Sequence, residues 1–245
     1  MTIRITRTTS DVIEPLRVLF LHEGGFQFVC NKCHLYGWAD PYLLTVDDIT
    51  AGYGAVWGSE RRDVRDTVFE FYLLPYYRGS AGVLFTALLH TSKATLVESQ
   101  TNDRLLTAML YEATHHIQAE AILFEDNDTT AWQIPGVSFR KRLASDDMGE
   151  DDSTHVLERD GVIIASGGLM LNYNIPYADI YMQVKEPFRR QGLGALIVQE
   201  LKQEAYRMNR VPAARCNIEN RISKATLLKA GFKVCGYRIK GRVKR

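Results

Sequence analysis

The 245 residues suffice for one large domain or two small ones, and 46% hydrophobic with 24% charged residues is ordinary globular composition. A formal net charge of +1 gives no electrostatic reason to expect nucleic acid or an anionic membrane as a partner. No run approaches the ~18 apolar residues of a membrane span, the opening MTIRITRTTSDVIEPL has no signal-like apolar core, and four cysteines (Cys30, Cys33, Cys216, Cys235) are few for a disulfide scaffold. A cytoplasmic chain with reduced thiols is the expectation.

Ser10 or Asp11 is placed to cap a helix to about Leu21, with Val12, Leu16, Leu19 and Phe20 on its expected buried face. Ala55–Trp57 and Thr67–Leu74 read as strands, the second ended by Pro75. A helix is expected over Gly79–His90, a short strand over Ala94–Glu98, a helix capped by Asn102 to about Ala113, and a strand over His116–Phe124. The polar stretch from Glu125 to Thr130 is the best domain break, dividing residues 1–134 from 135–245.

A strand restarts near Val137, and the acidic loop Ser145–Asp152 follows. Further strands are expected at Thr154–Glu158, Val162–Met170 and Ala178–Val184, with turns at Gly161 and Asn172–Pro176. From Gly192 to about Met208, Leu193, Leu196, Ile197 and Leu201 recur at helical spacing. Ala213–Ile218 reads as a strand, Asn220 or Ser223 as the cap of a helix stopping at Gly231, and Phe232–Ile239 as the last strand. The two halves repeat one order of elements: the stretch from Leu73 to Ala81 can be laid over Val184 to Gly192, with Asn102 opposite Asn220. Such self-similarity suggests tandem duplication.

The sharpest signal is Val184-Lys-Glu-Pro-Phe-Arg-Arg-Gln-Gly-Leu-Gly-Ala195, which joins a strand to a helix. The first N–H groups of a helix have no intrahelical acceptor, and the helix dipole adds positive potential there. With glycines at 192 and 194 to admit a close ligand, and Arg189 and Arg190 at the edge, the segment suits a pyrophosphate. It lacks the Gly-Lys-Ser/Thr of a Walker loop and the three-glycine spacing of a dinucleotide fold. Its pattern, Val-x-x-x-Phe-Arg-x-x-Gly-x-Gly, resembles motif A of the GNAT acetyltransferases, and Asn220-Arg-Ile-Ser-Lys-Ala-Thr-Leu-Leu-Lys-Ala-Gly-Phe232 is similar to motif B of that family. The resemblance covers residues 137–245.

It implies an α/β (α+β) chain of two GNAT-like domains, each a mixed central sheet flanked by helices. It also implies an acetyl-CoA site where two parallel strands splay in the C-terminal one. Met182, Gln183 and Val184 would pair with the pantetheine arm. Arg189, Arg190, Gln191, Gly192, Leu193, Gly194 and Ala195 would hold the pyrophosphate, and Asn220 and Ser223 would lie beside the pantetheine and thiol. The chain departs from the family in three places. Leu227 stands where the family often has a tyrosine as general acid, Ala178 stands at the usual base position, and only the acidic loop fills an interval that usually carries two helices. Asp179 and Tyr181, sharing one strand face, are the catalytic candidates. In the N-terminal half, Tyr77-Arg-Gly-Ser-Ala-Gly-Val83 puts Ala81 and Val83 where the glycines should be, so this half reads as a degenerate GNAT-like domain.

The remaining features are read conservatively. Cys30-Asn-Lys-Cys-His34 matches a haem-attachment string, but nothing supports export, and zinc wants four ligands, so no metal is expected. His115 and His116 on a strand would face opposite ways. Asp146, Asp147, Glu150, Asp151 and Asp152 read as a solvated linker that could also attract an amine, and Arg238, Lys240, Arg242, Lys244 and Arg245 as a solvated tail. Phe69, Phe71, Tyr72, Tyr76 and Tyr77 read as core and turn packing. The functional expectation is an acetyl-CoA-dependent N-acetyltransferase acting on a small-molecule amine, with no nucleic-acid or membrane partner. A homodimer stays open, as do a non-catalytic acyl-CoA-binding module and a protein lysine acetyltransferase.

Overall fold

The computed structural model describes residues 1–27, 31–146 and 151–244. Cys30 of the haem-like string, Asp147 and Glu150 of the acidic loop, and Arg245 of the basic tail lie outside the described residues. In chain order the elements are β1 (Ile3–Arg7), α1 (Ser10–Glu23), α2 (Asn31–Leu35), β2 (Ala39–Val46), β3 (Ile49–Trp57), β4 (Thr67–Leu73), α3 (Ala81–Ser92), β5 (Leu96–Gln100), α4 (Arg104–Ala113) and β6 (Thr114–Asp126). Then come β7 (Val137–Lys141), β8 (His155–Arg159), β9 (Val162–Met170), β10 (Tyr177–Val184), α5 (Leu193–Arg207), β11 (Val211–Asn217), α6 (Arg221–Lys229) and β12 (Phe232–Val243).

Two compact units result: residues 1–121 with 236–245, and residues 122–235. This differs from a break at 134/135, because β12 runs on past its first residues to pair antiparallel with β5, from Arg238↔Gln100 to Arg242↔Leu96. Arg238, Lys240 and Arg242 of the basic tail therefore lie in a strand rather than a solvated end. Arg238 and Lys240 both meet Glu120, at 3.1 and 2.7 Å.

In the first unit β1 to β4 form an antiparallel meander, and β4 then pairs in parallel with β5 only at Thr67↔Leu96 and Val68↔Val97. Beyond that point the two strands diverge in pairing. Phe71, Leu84, Phe85, Leu88, Leu106 and Leu110 fill the core between sheet and helices. Helix α1 presents Ile13, Leu16, Arg17 and Phe20 inward and leaves Val12 and Leu19 nearly half exposed, which corrects the expected face. Arg17 sits in the buried stripe because Glu70 of β4 receives its guanidinium. Thr9, not Ser10 or Asp11, occupies the cap position, and Asp103, not Asn102, caps α4 by accepting from Leu106 N at 3.1 Å. His116 has a left-handed φ of 52°, which breaks strand alternation, so the rings of His115 and His116 meet edge-on at 4.6 Å instead of pointing apart.

The second unit is a β7–β8–β9–β10 antiparallel meander followed by a parallel β10–β11 pair. Helix α5 packs its Leu193, Ile197, Val198 and Leu201 against Leu157, Ile164, Ile180 and Ala214 of the sheet. Among the described residues no helix separates β7 from β8. The aromatic residues Phe69, Phe71 and Tyr72 are buried as expected, whereas Tyr76 is exposed. No described helix is long and apolar enough to cross a membrane.

Candidate cofactor site

β10 stays paired with β9 along Asp179 to Val184 but pairs with β11 only through Tyr177–Asp179. From Ile180 onward its other edge carries backbone groups that β11 does not take up. An extended ligand can add there as a strand would. After Val184 a 3-10 turn at Glu186–Phe188, started by Pro187, reverses the chain. Arg189 donates from Nε to the Val184 carbonyl at 3.2 Å and closes the turn.

The next four residues set the loop. Arg190 and Gly192 both adopt left-handed backbone, φ 63° and 81°. For a non-glycine residue such a conformation costs ~1–3 kcal/mol and clusters at ligand clamps. Gly192 caps α5, and a Cβ built on it would meet nothing closer than 3.7 Å. Its glycine is thus demanded by conformation, not by space. Gly194 is the reverse case: a Cβ there would stand 2.9 Å from Thr226 Cγ2, so its absence lets α5 approach α6. Ala195 N–H already donates to the Gly192 carbonyl at 3.1 Å, which removes it from the expected set of phosphate donors.

These pieces surround a cavity of about 830 Å³. Met182, Gln183, Val184, Arg189, Arg190, Gly192, Leu193, Gly194, Ala195, Asn220 and Ser223 line it. Gln191 does not; its Oε1 accepts from Arg159 Nη1 at 3.0 Å. Asn220 caps α6, its side chain accepting from Ser223 N at 3.0 Å. The lining also includes Phe188, Arg221, Ile222, Ala225, Thr226 and Lys229, which lie within the two motifs but carry no expected binding role. Helical spacing from Ser223 (226, then 229) could have flagged the last two, since i, i+3 positions share a face.

Asp179 and Tyr181 precede the lining. Asp179 is 3% exposed, and its Oδ2 lies 3.4 Å from Arg215 Nε. Tyr181 is half-buried; burial, then Asp152 and Asp151, push its hydroxyl above the ordinary tyrosine value. By strand alternation it shares a face with the cavity-lining Gln183. Asp151, read from sequence as part of a solvated linker that could also attract an amine, accepts from Ser166 Oγ at 2.6 Å and Gln183 Nε2 at 2.7 Å. Burial alone would raise its carboxyl, but donors on Ser153, Ser166 and Gln183 outweigh it and hold the group at about 2. No described cluster of three histidine, cysteine or acidic residues could hold a metal.

The donor set therefore fits a long phosphate-bearing cofactor: an open strand edge, a left-handed loop, a helix start and basic residues around one cavity. A family model for the acetyltransferase (GNAT) family matches residues 110–232, half of the chain. The chain belongs to the GNAT acetyltransferase family. This GNAT chain is similar in fold to an acetyltransferase of the GNAT family from Colwellia psychrerythraea (TM-score 0.79, 14% identity, covering 98% of this chain and 100% of that one). It is also similar to a GCN5-related N-acetyltransferase from Sphaerobacter thermophilus (0.63, 15%, 99% and 96%). A third is a tandem GNAT protein from the clavulanic acid biosynthesis pathway (0.65, 12%, 100% and 99%). A search of the curated proteins by sequence found no match.

The first unit repeats the strand–turn–helix of the second without its left-handed loop. Its turn at Pro75–Ser80 leads into α3 with no left-handed residue. Arg78, which aligns with Arg189 and like it donates from Nε to the strand-end carbonyl (Leu73, 3.2 Å), also forms an ion pair with Glu23 of α1, and Glu23 accepts from Tyr72 at 2.7 Å.

Proposed function

We propose that the chain is an acetyl-CoA-dependent N-acetyltransferase of the cytosol that acylates a small-molecule amine, with one catalytic GNAT-like domain and one degenerate one in tandem. The observation that carries this is the β10–β11 divergence opening onto the left-handed Arg190–Gly192 loop and the α5 N-terminus. Acetyl-CoA, when bound, supplies an activated acyl group on a good leaving thiolate. In this reading Met182–Val184 align the pantetheine arm, and the N–H groups from Arg190 to Gly194 bind the pyrophosphate. Transfer forms a bond between the amine nitrogen and the acyl carbon as the C–S bond breaks; the nitrogen loses a proton, and the thiolate gains one.

Leu227, at the position of the usual acid, is buried in the core and cannot donate. The ion pair with Arg215 gives Asp179 a structural use. Tyr181, protonated at neutral pH and with its hydroxyl 3.4 Å from the Asp152 carbonyl in this conformation, is the candidate proton donor to the thiolate. The leaving thiol, with an ordinary pKa near ~8.5, needs only modest help. Leu227 also supports a second reading, a cofactor-binding module without turnover. The deciding experiment is calorimetric titration with acetyl-CoA, followed by turnover on a panel of small amines and lysine peptides. One site per chain with small-amine turnover is expected. Binding without turnover on any acceptor would favour the module, and no binding would overturn both readings.

A further inference from the structure

Lys229 lies outside the phosphate loop in sequence but beside it in space. It sits in the last turn of α6 and lines the cavity. Its Nζ lies 3.9 Å from where a Cβ would stand on Gly192, the residue that starts α5. Trp132 holds it there. The ammonium rests 4.5 Å from the indole centroid, and the indole Nε1 donates to the Lys229 carbonyl at 3.0 Å. Trp132 is itself held through its backbone by Gln199 of α5: its N–H donates to Gln199 Oε1 at 2.6 Å, and Gln199 Nε2 donates to its carbonyl at 3.2 Å. Gln199 is 6% exposed, so this amide is a fixed anchor. Ile134, two residues on, reaches 3.7 Å from the same Gly192 position.

The electrostatics make the arrangement informative. A helix start carries positive potential, which disfavours a nearby cation. Arg189 and Arg190 line the same cavity, and among the described residues no carboxylate forms an ion pair with Lys229. A long exposed lysine ordinarily swings away into water; the α6 C-terminus favours its charge, yet an aromatic face and two hydrogen-bonded backbones aim that charge at the positive α5 start. An anion between the α5 start and Lys229 resolves the conflict. We propose that Lys229 is a phosphate-binding residue of this site and that Trp132, anchored by Gln199, is its positioning residue. This rests on the acetyl-CoA reading above.

The test is a double-mutant cycle read by calorimetry, with CoA and dephospho-CoA as titrants. Lys229→Met keeps the apolar stem and should weaken CoA binding about tenfold, the loss of one charge-assisted contact. Trp132→Leu should weaken it about threefold, and the double variant should be no worse than Lys229→Met, since residues acting through one contact are not additive. Trp132→Phe keeps a ring face and should recover part of the loss, which guards against a folding artefact. If dephospho-CoA loses as much as CoA, Lys229 serves the pyrophosphate; if only CoA loses, it serves the 3′-phosphate. Either supports the proposal. Wild-type binding with an unchanged Lys229→Met, or full additivity in the cycle, overturns it while leaving the cofactor reading standing. Wild-type protein that binds neither titrant overturns the cofactor reading and this inference together.

Discussion

At the scale of single residues, Gly192 and Tyr181 carry the sharpest consequences. Gly192 has space for a side chain but holds φ 81°, a conformation a β-branched residue resists. Gly192→Val should therefore rebuild the start of α5 and cost at least ~10-fold in acetyl-CoA affinity by calorimetry, because misdirected N–H groups lose charge-assisted hydrogen bonds. Tyr181→Phe removes a hydroxyl and little volume. Its expected effect is a fall in kcat of ~10²-fold or more with acetyl-CoA affinity unchanged, as for loss of a general acid. An equal loss in affinity and turnover would show instead that the ring only shapes β10. Both glycines and both arginines of the loop were legible in the sequence, because backbone chemistry at a helix start is local. Lys229 was not, because its relation to Gly192 depends on how α6 meets α5.

At the scale of elements, α1 marks the contrast between the two units. It fastens to β4 through charge: Arg17 donates from Nε and Nη2 to Glu70 at 3.0 Å each, while Tyr53 and His34 lie 2.9 and 3.1 Å from the same carboxylate. Burial would push Glu70 upward, but Arg17 and His34 hold it well below the ordinary carboxylate range. Removing one partner of a buried pair leaves an uncompensated charge. Arg17→Ala should thus destabilise the chain by ~3–5 kcal/mol in denaturant titration, on the order seen for buried pairs. A loss under ~1 kcal/mol, the range of exposed pairs, would mean that water reaches Glu70. The α1 periodicity is plain from sequence, and Leu16 and Phe20 stand inward as expected, but Ile13 and Arg17 replace Val12 and Leu19, since an arginine in an apolar stripe looks like surface until its partner is known. Strands β1 and β2 were missed for a related reason. Strand β1 is only five residues long, though its Ile3-Arg4-Ile5-Thr6 alternation is itself a strand pattern; Pro41 weakens the local signal in β2, and pairing across the sheet settles both.

At the scale of the whole molecule, stability should carry an unusual pH signature from Asp103. Burial pushes its carboxyl up to about 7, with Glu70 adding repulsion and the Leu106 N–H opposing both. The unfolded value is ~3.9. Between these values the folded state binds the extra proton, so this group's contribution is fully present below about pH 4 and is lost as pH rises toward 7. The slope is at most ~1.4 kcal/mol per pH unit for one proton. Asp103→Asn keeps a good helix cap and should remove that decline, so the variant gains stability over wild type as pH rises from 4 to 8 in thermal melts. Parallel curves would show that Asp103 titrates normally.

The sequence by itself determined the family and the elements from β3 onward, because the strand–loop–helix motif and hydrophobic periodicity are written in consecutive residues. Tertiary structure alone decided that Arg238–Arg242 complete the first unit's sheet, that Asp179 pairs with Arg215, and that Glu23 pairs with Arg78. It also decided that Trp132 holds Lys229 beside Gly192. Each of these joins residues far apart in the chain, and the energy of such a contact depends on burial and distance that no local pattern encodes.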